Sequence, residues 1–197
     1  MLEIRIHGRG GQGAKTIAEI LASTTIKQGR EAKTFPEFGP ERTGAPIENY
    51  LKISENSKEE IKSNQPIINP DIIVILDKTL LENKKILAGL KKKGFLVINT
   101  SFSSQELRKS LLKKIKNNFK IATLDASSIS FSLFEKNLPN IVILGGLMKI
   151  LKFLKPEKIE EEIKEKFSHF PKEIIDKNIE AFKRGIAMIK IEEYEKK

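Results

Sequence analysis

The sequence predicts an α/β fold of three layers, in which helices cover both faces of a mostly parallel, mixed sheet and a helical region follows at the C-terminal end. Continuous apolar segments such as 72–76 alternate with amphipathic segments, which is typical of parallel sheets covered on both faces. A glycine-rich turn joins the first strand pattern to the first helix pattern, and every pattern after Ser127 is helical. The length of 197 residues predicts one domain over 1–197, with an α/β core at about 1–126 and a helical tail at about 127–197.

The elements of the first half follow from their periodicity and their breakers. Apolar residues at every second position predict a strand over 2–7, and apolar residues at helical spacing predict a helix over 13–28. A strand over 31–35 and a Pro- and Gly-rich loop over 36–46 follow. Residues 47–53 alternate between apolar and polar side chains, so we expect an edge or antiparallel strand with one solvent-facing side.

The second half alternates in the same way and then becomes helical. After an irregular stretch we predict, in order, a strand over 72–76, a helix over 79–92, a strand over 95–98, a helix over 104–117 and a strand over 119–124. Helices are predicted over 140–154, over 156–167 beginning on Pro156, and over 172–190. These last helices are expected to wrap the sheet.

Composition excludes several classes of protein. No apolar run approaches the roughly 20 residues that span a bilayer, and no targeting segment is visible, so we expect a cytoplasmic protein without a membrane anchor. The chain has no Cys, which excludes disulfides and an iron–sulfur cluster held by its own thiolates. The two histidines, His7 and His169, lie far apart in sequence, so no metal site is expected.

The positive charge is concentrated in one stretch. Residues 84–120 contain eleven Lys or Arg and one acid, Glu106, which equals the whole net charge of +10. Solvated lysine faces and docking to an acidic partner both account for this stretch. Nucleic acid is not expected as a partner, because the lysines are not interleaved with aromatic residues.

The glycine turn is compatible with two kinds of nucleotide site. Gly8, Gly10 and Gly13 satisfy G-x-G-x-x-G between a strand and a helix, but no acid ends the second strand to bind a ribose. A phosphate loop of the G-x-x-x-x-G-K-T type is missed by one residue, because Ala14 is inserted before Lys15. A stand-alone protein that binds NAD or ATP therefore stays an alternative.

A second loop, 35–46, follows the second strand. It carries charges on a segment stiffened by three prolines, a composition that favours recognition. In a parallel sheet the loop leaves the same edge as the glycine turn, so the two loops are expected to form one surface.

With both loops considered, the chain resembles the gamma subunit of the 2-oxoacid:ferredoxin oxidoreductases, in the pyruvate and 2-ketoisovalerate branch. The resemblance rests on segments 7–13, 35–46, 70–81, 94–100, 138–145 and 178–185. It implies a subunit of an enzyme of class EC 1.2.7, which converts a 2-oxoacid, pyruvate or a branched one such as 2-ketoisovalerate, and coenzyme A to an acyl-CoA while reducing ferredoxin. It also implies alpha, beta and ferredoxin-like delta subunits as partners, with thiamine diphosphate, Mg²⁺, iron–sulfur clusters and coenzyme A bound in the complex and no cofactor held by this chain alone.

In this interpretation the chain has no catalytic residue of its own and completes a site made by its partners. Arg9 and Arg42 are suited to a forked contact with a carboxylate or a CoA phosphate, and Gln12, Glu37 and Glu41 to contacts with partner subunits. Asp77 and Thr79 are expected at the same edge, where Asp77 is equally suited to cap the next helix. The candidate ligand or subunit-interface residues are Gly8, Arg9, Gly10, Gly11, Gln12, Gly13, Glu37, Phe38, Gly39, Pro40, Glu41, Arg42, Gly44 and Ala45.

Overall fold

The sheet of this protein is mixed, and its parallel half is the larger one. In the computed structural model, which describes residues 1–37, 44–54, 60–110, 112–113 and 119–192, the strands are β1 (Leu2–Arg9), β2 (Ala32–Pro36), β3 (Pro46–Ile53), β4 (Ile72–Ile75), β5 (Phe95–Asn99), β6 (Lys120–Leu124) and β7 (Lys190–Ile191). Their spatial order among the described residues is β2-β3-β1-β4-β5-β6-β7. β1, β4, β5 and β6 are mutually parallel, whereas β3 runs antiparallel to both β1 and β2, and β7 runs antiparallel to β6. The predicted α/β fold is confirmed.

Helices cover the two faces of the sheet unequally. The helices of the described residues are α1 (Ala14–Lys27), α2 (Ser104–Lys109), α3 (Ala126–Phe134), α4 (Asn140–Leu147), α5 (Pro156–Lys166) and α6 (Lys172–Met188). Alternate residues of β4 separate two cores: Ile72 and Val74 pack with α1 and the C-terminal helices, and Ile73 and Ile75 pack with the 80–90 segment and α2. The continuous apolar pattern of this strand therefore reflects burial on both faces.

The predicted helix over 79–92 is wrong. Two short 3₁₀ segments, Lys78–Glu82 and Lys84–Leu87, take its place. The Asn83 side chain accepts a hydrogen bond from the Lys85 N–H and so starts a new segment, while Gly89 has a positive φ of 78°. Local capping and the glycine outweigh the helical periodicity of the apolar residues.

Other helix ends also differ from the prediction. α2 ends at Lys109, where the Ser110 hydroxyl donates to the Glu106 carbonyl, and α4 ends at Leu147 rather than 154. α6 ends at Met188, and the next residues form β7, a strand that was not predicted. Residues 47–53 form an antiparallel strand, which confirms one of the two expected arrangements, and β3 lies between β2 and β1 rather than at an edge. The expected solvent-facing side is wrong for the second half of the strand, which is buried on both sides.

Candidate functional surface at the glycine turn

The turn between β1 and α1 requires glycine at two positions for different reasons. Gly11 has φ of 93°, and the space around its absent Cβ is open. Gly13 has φ of 76°, and a Cβ there would overlap the side-chain amide of Asn140, the first residue of α4. Gly13 therefore lets α4 pack against the start of α1, whereas Gly11 leaves an exposed point at which another molecule can approach the backbone closely.

Backbone hydrogen bonds join this turn to the end of the second loop. The Gly10 N–H donates to the Ala45 carbonyl at 2.9 Å, and the Gly44 N–H donates to the Gly10 carbonyl at 3.2 Å. Within the turn, the Gln12 N–H donates to the Arg9 carbonyl and the Arg9 N–H to Gln12 Oε1. The prediction that the two loops leave the same edge is correct. β1 and β2 both run antiparallel to β3, so they are parallel to each other and end at the same edge of the sheet.

The side chain of Arg9 joins three segments at this edge of the sheet. Its Nε donates to Asp77 Oδ2 at 2.8 Å, one terminal nitrogen donates to Thr79 Oγ1 at 2.7 Å, and the other to the Gly44 carbonyl at 3.2 Å. The side chain of Arg9 is 35% exposed and that of Asp77 is 19% exposed. One guanidinium thus ties together the end of β1, the loop before β3 and the residues after β4.

Asp77 acts as an acceptor at the centre of this contact. Its carboxylate accepts the Thr79 N–H at 2.9 Å and the Thr79 hydroxyl at 2.7 Å, so the expected cap is present at the start of the first 3₁₀ segment. Burial alone would raise the pKa of Asp77, but the hydrogen bonds from Thr79 and Arg9 outweigh it and lower the pKa below the ordinary 3.8. The carboxylate is therefore charged at neutral pH.

The two nucleotide-site alternatives do not fit this geometry. The strand beside β1 on the β2 side is antiparallel, so its carboxyl end lies at the opposite edge, and Glu37 follows a strand two positions from β1. Lys15 is exposed, and its ammonium lies 3.8 Å from Glu19 on the surface of α1. Neither the ribose-binding acid nor the phosphate-binding lysine occupies the place that such a site requires.

A buried charged cluster beside the turn was missed in the sequence. The Arg5 Nε lies 3.7 Å from Glu48 Oε1, and the His7 Nδ1 lies 3.4 Å from Glu48 Oε2. Burial and then the nearby Arg5 charge lower the pKa of His7 to about 3, while burial first and then Glu48 raise the pKa of Tyr50. The available signal was the period of β1, in which Arg5 and His7 alternate with the buried Ile4 and Ile6.

Some of the candidate residues meet at one edge of the sheet, where Gly10 bonds to Gly44 and Ala45 and Arg9 bonds to Gly44. The candidate residues that the structure describes are Gly8, Arg9, Gly10, Gly11, Gln12, Gly13, Glu37, Gly44 and Ala45, whereas Phe38, Gly39, Pro40, Glu41 and Arg42 lie outside the described residues. Gly8 packs beside Leu76, and a Cβ there would lie 3.2 Å from the Leu76 side chain. Of the basic stretch, Lys91 pairs with Asp71 and Arg108 with Glu192.

Two further observations concern metals and membranes. The described residues contain no group of three or more His, Asp or Glu side chains that is suited to hold a metal ion. None of the helices in this part of the chain has the length and apolar character needed to cross a bilayer.

Comparison with known proteins places the chain in a family. The family model described as pyruvate ferredoxin/flavodoxin oxidoreductase matches residues 3–188. The common gamma subunit of pyruvate/ketoisovalerate oxidoreductases from Pyrococcus furiosus is 42% identical over 168 residues, which are 85% of this chain and 88% of that protein. The crystal structure of pyruvate oxidoreductase subunit PORC (EC 1.2.7.1) from Thermotoga maritima has a TM-score of 0.83 and 36% identity, and the match covers 98% of each chain.

A more distant structure shares the fold. The 2-oxoglutarate:ferredoxin oxidoreductase from Magnetococcus marinus, solved with 2-oxoglutarate, coenzyme A and succinyl-CoA bound, has a TM-score of 0.74 and 21% identity over 94% of this chain and 30% of that chain. The family match and the Pyrococcus relative each span most of this sequence, and they confirm the resemblance read from its motifs. The chain therefore belongs to the pyruvate ferredoxin/flavodoxin oxidoreductase family, as a gamma subunit of a 2-oxoacid:ferredoxin oxidoreductase.

Proposed function

We propose that this gamma subunit serves a complex that acts on pyruvate, and that its glycine turn and the 37–45 loop complete a coenzyme A site held mainly by sister subunits. The reaction is pyruvate plus coenzyme A plus two oxidised ferredoxins giving acetyl-CoA, CO₂, a proton and two reduced ferredoxins. We choose pyruvate as the substrate because the Thermotoga relative is named a pyruvate oxidoreductase subunit. We choose coenzyme A because it is bound in the Magnetococcus enzyme. A 2-ketoisovalerate enzyme is the second candidate, because the Pyrococcus relative is common to both activities.

The observation that supports the proposal is the union of the two loops at one edge. Gly10 bonds to Ala45 and Gly44 through the backbone, and the Arg9 guanidinium donates to the Gly44 carbonyl and to Asp77. The backbone at Gly10, Gly44 and Ala45 is thus fixed before anything binds to it, which lowers the entropic cost of binding. Gly11 lies exposed on this surface with no atom near its absent Cβ.

The polar groups of the turn fit a phosphate or a carboxylate. Within the described residues no acceptor satisfies the N–H groups of Gly13, which directly precedes α1, and of Gly11, two residues earlier. N–H groups in this position, together with the helix dipole, favour an anion such as a CoA phosphate. The guanidinium of Arg9 is already bound within the chain, so its role is to position the turn, and the forked contact with an anion is left to Arg42.

The remaining cofactors belong to other chains in this proposal. Thiamine diphosphate with Mg²⁺ supplies the decarboxylation chemistry, and iron–sulfur clusters carry the two electrons singly to ferredoxin. This chain has no Cys to ligate a cluster, so its own residues bind, orient and exclude water. The alpha, beta and delta subunits and ferredoxin are its proposed partners, and the cytoplasm is the proposed compartment.

A matched pair of glycine variants tests the proposal in the assembled complex. Gly29, at the far end of α1, has φ of 78° and open space around its absent Cβ, as Gly11 has. Gly11→Leu and Gly29→Leu therefore carry similar backbone strain, of order 1 kcal/mol. We expect CoA-dependent ferredoxin reduction to fall about tenfold or more in Gly11→Leu alone, with the complex still assembled.

Two measurements separate the possible outcomes. A raised KM for coenzyme A in Gly11→Leu indicates ligand contact, whereas failed assembly on a sizing column indicates a subunit interface. Equal turnover of the Gly11→Leu and Gly29→Leu complexes would contradict both the ligand contact and the interface role. A panel of 2-oxoacids with the unmodified complex then decides between pyruvate and 2-ketoisovalerate.

A further inference from the structure

The core on the α1 side of the sheet reaches the surface in a groove of about 400 Å³. The groove lies at the edge where β1, β4 and β5 begin, which is opposite to the edge that carries the glycine turn. Its apolar lining consists of buried side chains and of partly exposed ones, among them Ile72, Leu151, Leu2, Phe95, Ile150 and Phe153. Apolar surface is therefore left uncovered in a chain that belongs to a complex.

A tight turn over residues 91–94 forms one side of this groove. The Gly94 N–H donates to the Lys91 carbonyl at 3.0 Å, and the Lys91 N–H donates to the Pro70 carbonyl at 3.0 Å. The Lys91 ammonium lies 2.9 Å from Asp71 and 3.5 Å from Glu3. The turn is thus fixed to β1 and to the residues before β4 in advance of any binding, which lowers the entropic cost of a contact made there.

Lys93 occupies the third position of this turn in a strained conformation. Its φ is 67°, in the left-handed region, where a turn of this kind favours glycine. Among the described residues only Glu135 shares this combination of a positive φ and a side chain, and it ends α3, where a left-handed residue is common. The side chain of Lys93 has no hydrogen bond or ion pair with the described part of the chain. Strain without an internal contact is typical of positions that bind another molecule.

The rim of the groove has an excess of positive charge. Lys92 and Lys93 line the groove, and Lys149 and Lys152 adjoin other lining residues in the chain. All four side chains are exposed, and within the residues that the structure describes none of them forms an ion pair. Asp71 is the one acid among the described lining residues, and it is already paired in the turn. The rim therefore attracts carboxylates that this part of the chain does not supply.

Two further cations lie against the aromatic walls of the groove. The Arg30 guanidinium lies over the Phe153 ring, 4.8 Å from its centre, and the Lys120 ammonium lies over the Phe95 ring at 5.4 Å. Apolar contact and positive charge are thus offered side by side. An apolar centre with a charged rim is the usual composition of a protein–protein interface.

We propose that this groove receives an acidic segment of a sister subunit of the oxidoreductase, in which an apolar side chain lies between Asp or Glu residues. The apolar side chain packs on Phe95 and Phe153, and the flanking carboxylates pair with the exposed lysines of the rim. A sister subunit is favoured over a mobile electron carrier, because a carrier must approach a cluster and this chain has no Cys to hold one. The inference rests on membership of a complex and is independent of the coenzyme A surface at the other edge.

Zero-length cross-linking of the assembled complex tests this contact directly. A carbodiimide joins a carboxylate to an amine without a spacer, so we expect it to link Lys92, Lys93, Lys149 or Lys152 to an Asp or Glu of a sister subunit, as identified by peptide mass spectrometry. The same lysines should be acetylated more slowly in the complex than in the isolated chain. Equal acetylation without cross-links, or cross-links that form only with added ferredoxin, would overturn the proposal.

Charge reversal measures what the rim contributes to assembly. The double variant Lys92→Glu, Lys93→Glu is expected to weaken binding to the sister subunits about tenfold or more at low salt and less at high salt. Lys164→Glu with Lys172→Glu makes the same charge change at exposed positions of α5 and α6, and this control should bind as the unmodified chain does. Complexes that do form with the double variant should keep their KM for coenzyme A, which separates this proposal from the previous one. Unchanged affinity of the folded double variant would refute the proposal.

Two variants of Lys93 separate docking from folding. Lys93→Gly removes the charge and the backbone strain together, so the chain should unfold at the same or a higher urea concentration and yet bind the sister subunits more weakly. Lys93→Arg keeps both the charge and the strain and should bind as tightly as the unmodified chain. A Lys93→Gly chain that binds with unchanged affinity would contradict the docking of carboxylates at this rim.

Discussion

The Arg9–Asp77 contact is expected to couple the two residues energetically, and a double-mutant cycle measures this coupling. The two charged groups meet at 2.8 Å with side chains 35% and 19% exposed, which places the pair between a surface ion pair and a buried one. Exposed pairs contribute about 0.2–1 kcal/mol and hydrogen bonds to charged groups about 1.5–3 kcal/mol, so we expect a coupling of about 1–2 kcal/mol for Arg9→Met with Asp77→Asn.

The assay is urea unfolding of the wild-type chain, both single variants and the double variant at pH 7. The surface pair Lys158–Glu161, with side chains 50% and 61% exposed, is the control, and its coupling should stay below about 0.5 kcal/mol. If the stability changes of Arg9→Met and Asp77→Asn add to within about 0.3–0.5 kcal/mol, the inference that Arg9 and Asp77 stabilise this edge together is refuted.

The same pair has a defined pH dependence. The pKa of Asp77 is lowered in the folded chain from an ordinary value of 3.8, so its contribution to stability is fully present above that pH and is lost as the pH falls through the lower folded value. The stability difference between wild type and Asp77→Asn should therefore narrow as the solution is acidified below 3.8. A constant difference would show that the carboxylate charge contributes nothing.

Three further outcomes are expected from other parts of the fold. A Cβ at Gly185 would overlap the Val142 carbonyl where α6 crosses α4, so Gly185→Ala should lower the free energy of unfolding by about 1–3 kcal/mol in urea titrations. The folded pKa of His7 is lowered from 6.5 to about 3, so acidification from pH 7 to 4.5 should destabilise wild type by about 2–3 kcal/mol more than His7→Gln, and equal pH slopes would contradict this. Glu192 binds Arg108 through both carboxylate oxygens, so Glu192→Gln should speed amide hydrogen exchange in β7, with unchanged exchange as the opposing result.

Sequence reasoning succeeded where burial alone sets the pattern. The segment 72–76 is apolar on both sides because both of its faces are buried, and the alternation of such strands with helices identified the fold. The meeting of the two loops was also predictable, because strand direction fixes the edge at which a loop emerges.

Prediction failed where local contacts outweigh periodicity. The segment 79–92 has apolar residues at helical spacing, but Asn83 caps a new turn and Gly89 has a positive φ, so no long helix forms. The burial of Arg5 and His7 depends on β3 and on the 67–88 segment, which lie far away in the chain. The roles of the candidate residues in binding stay predictions, since they depend on molecules other than this chain.

The position of β3 has a consequence for how this surface can diversify. Because β2 and β3 are hydrogen-bonded antiparallel neighbours, they form a hairpin whose pairing extends as far as Pro36 and Asn49. Doubling the length of a hairpin connection costs only about 0.6 kcal/mol in closure entropy, and the strands keep their register. Insertions or deletions between β2 and β3 would therefore change the size of the surface next to Gly44 and Ala45, while the sheet, the glycine turn and the helices that cover them stay unchanged.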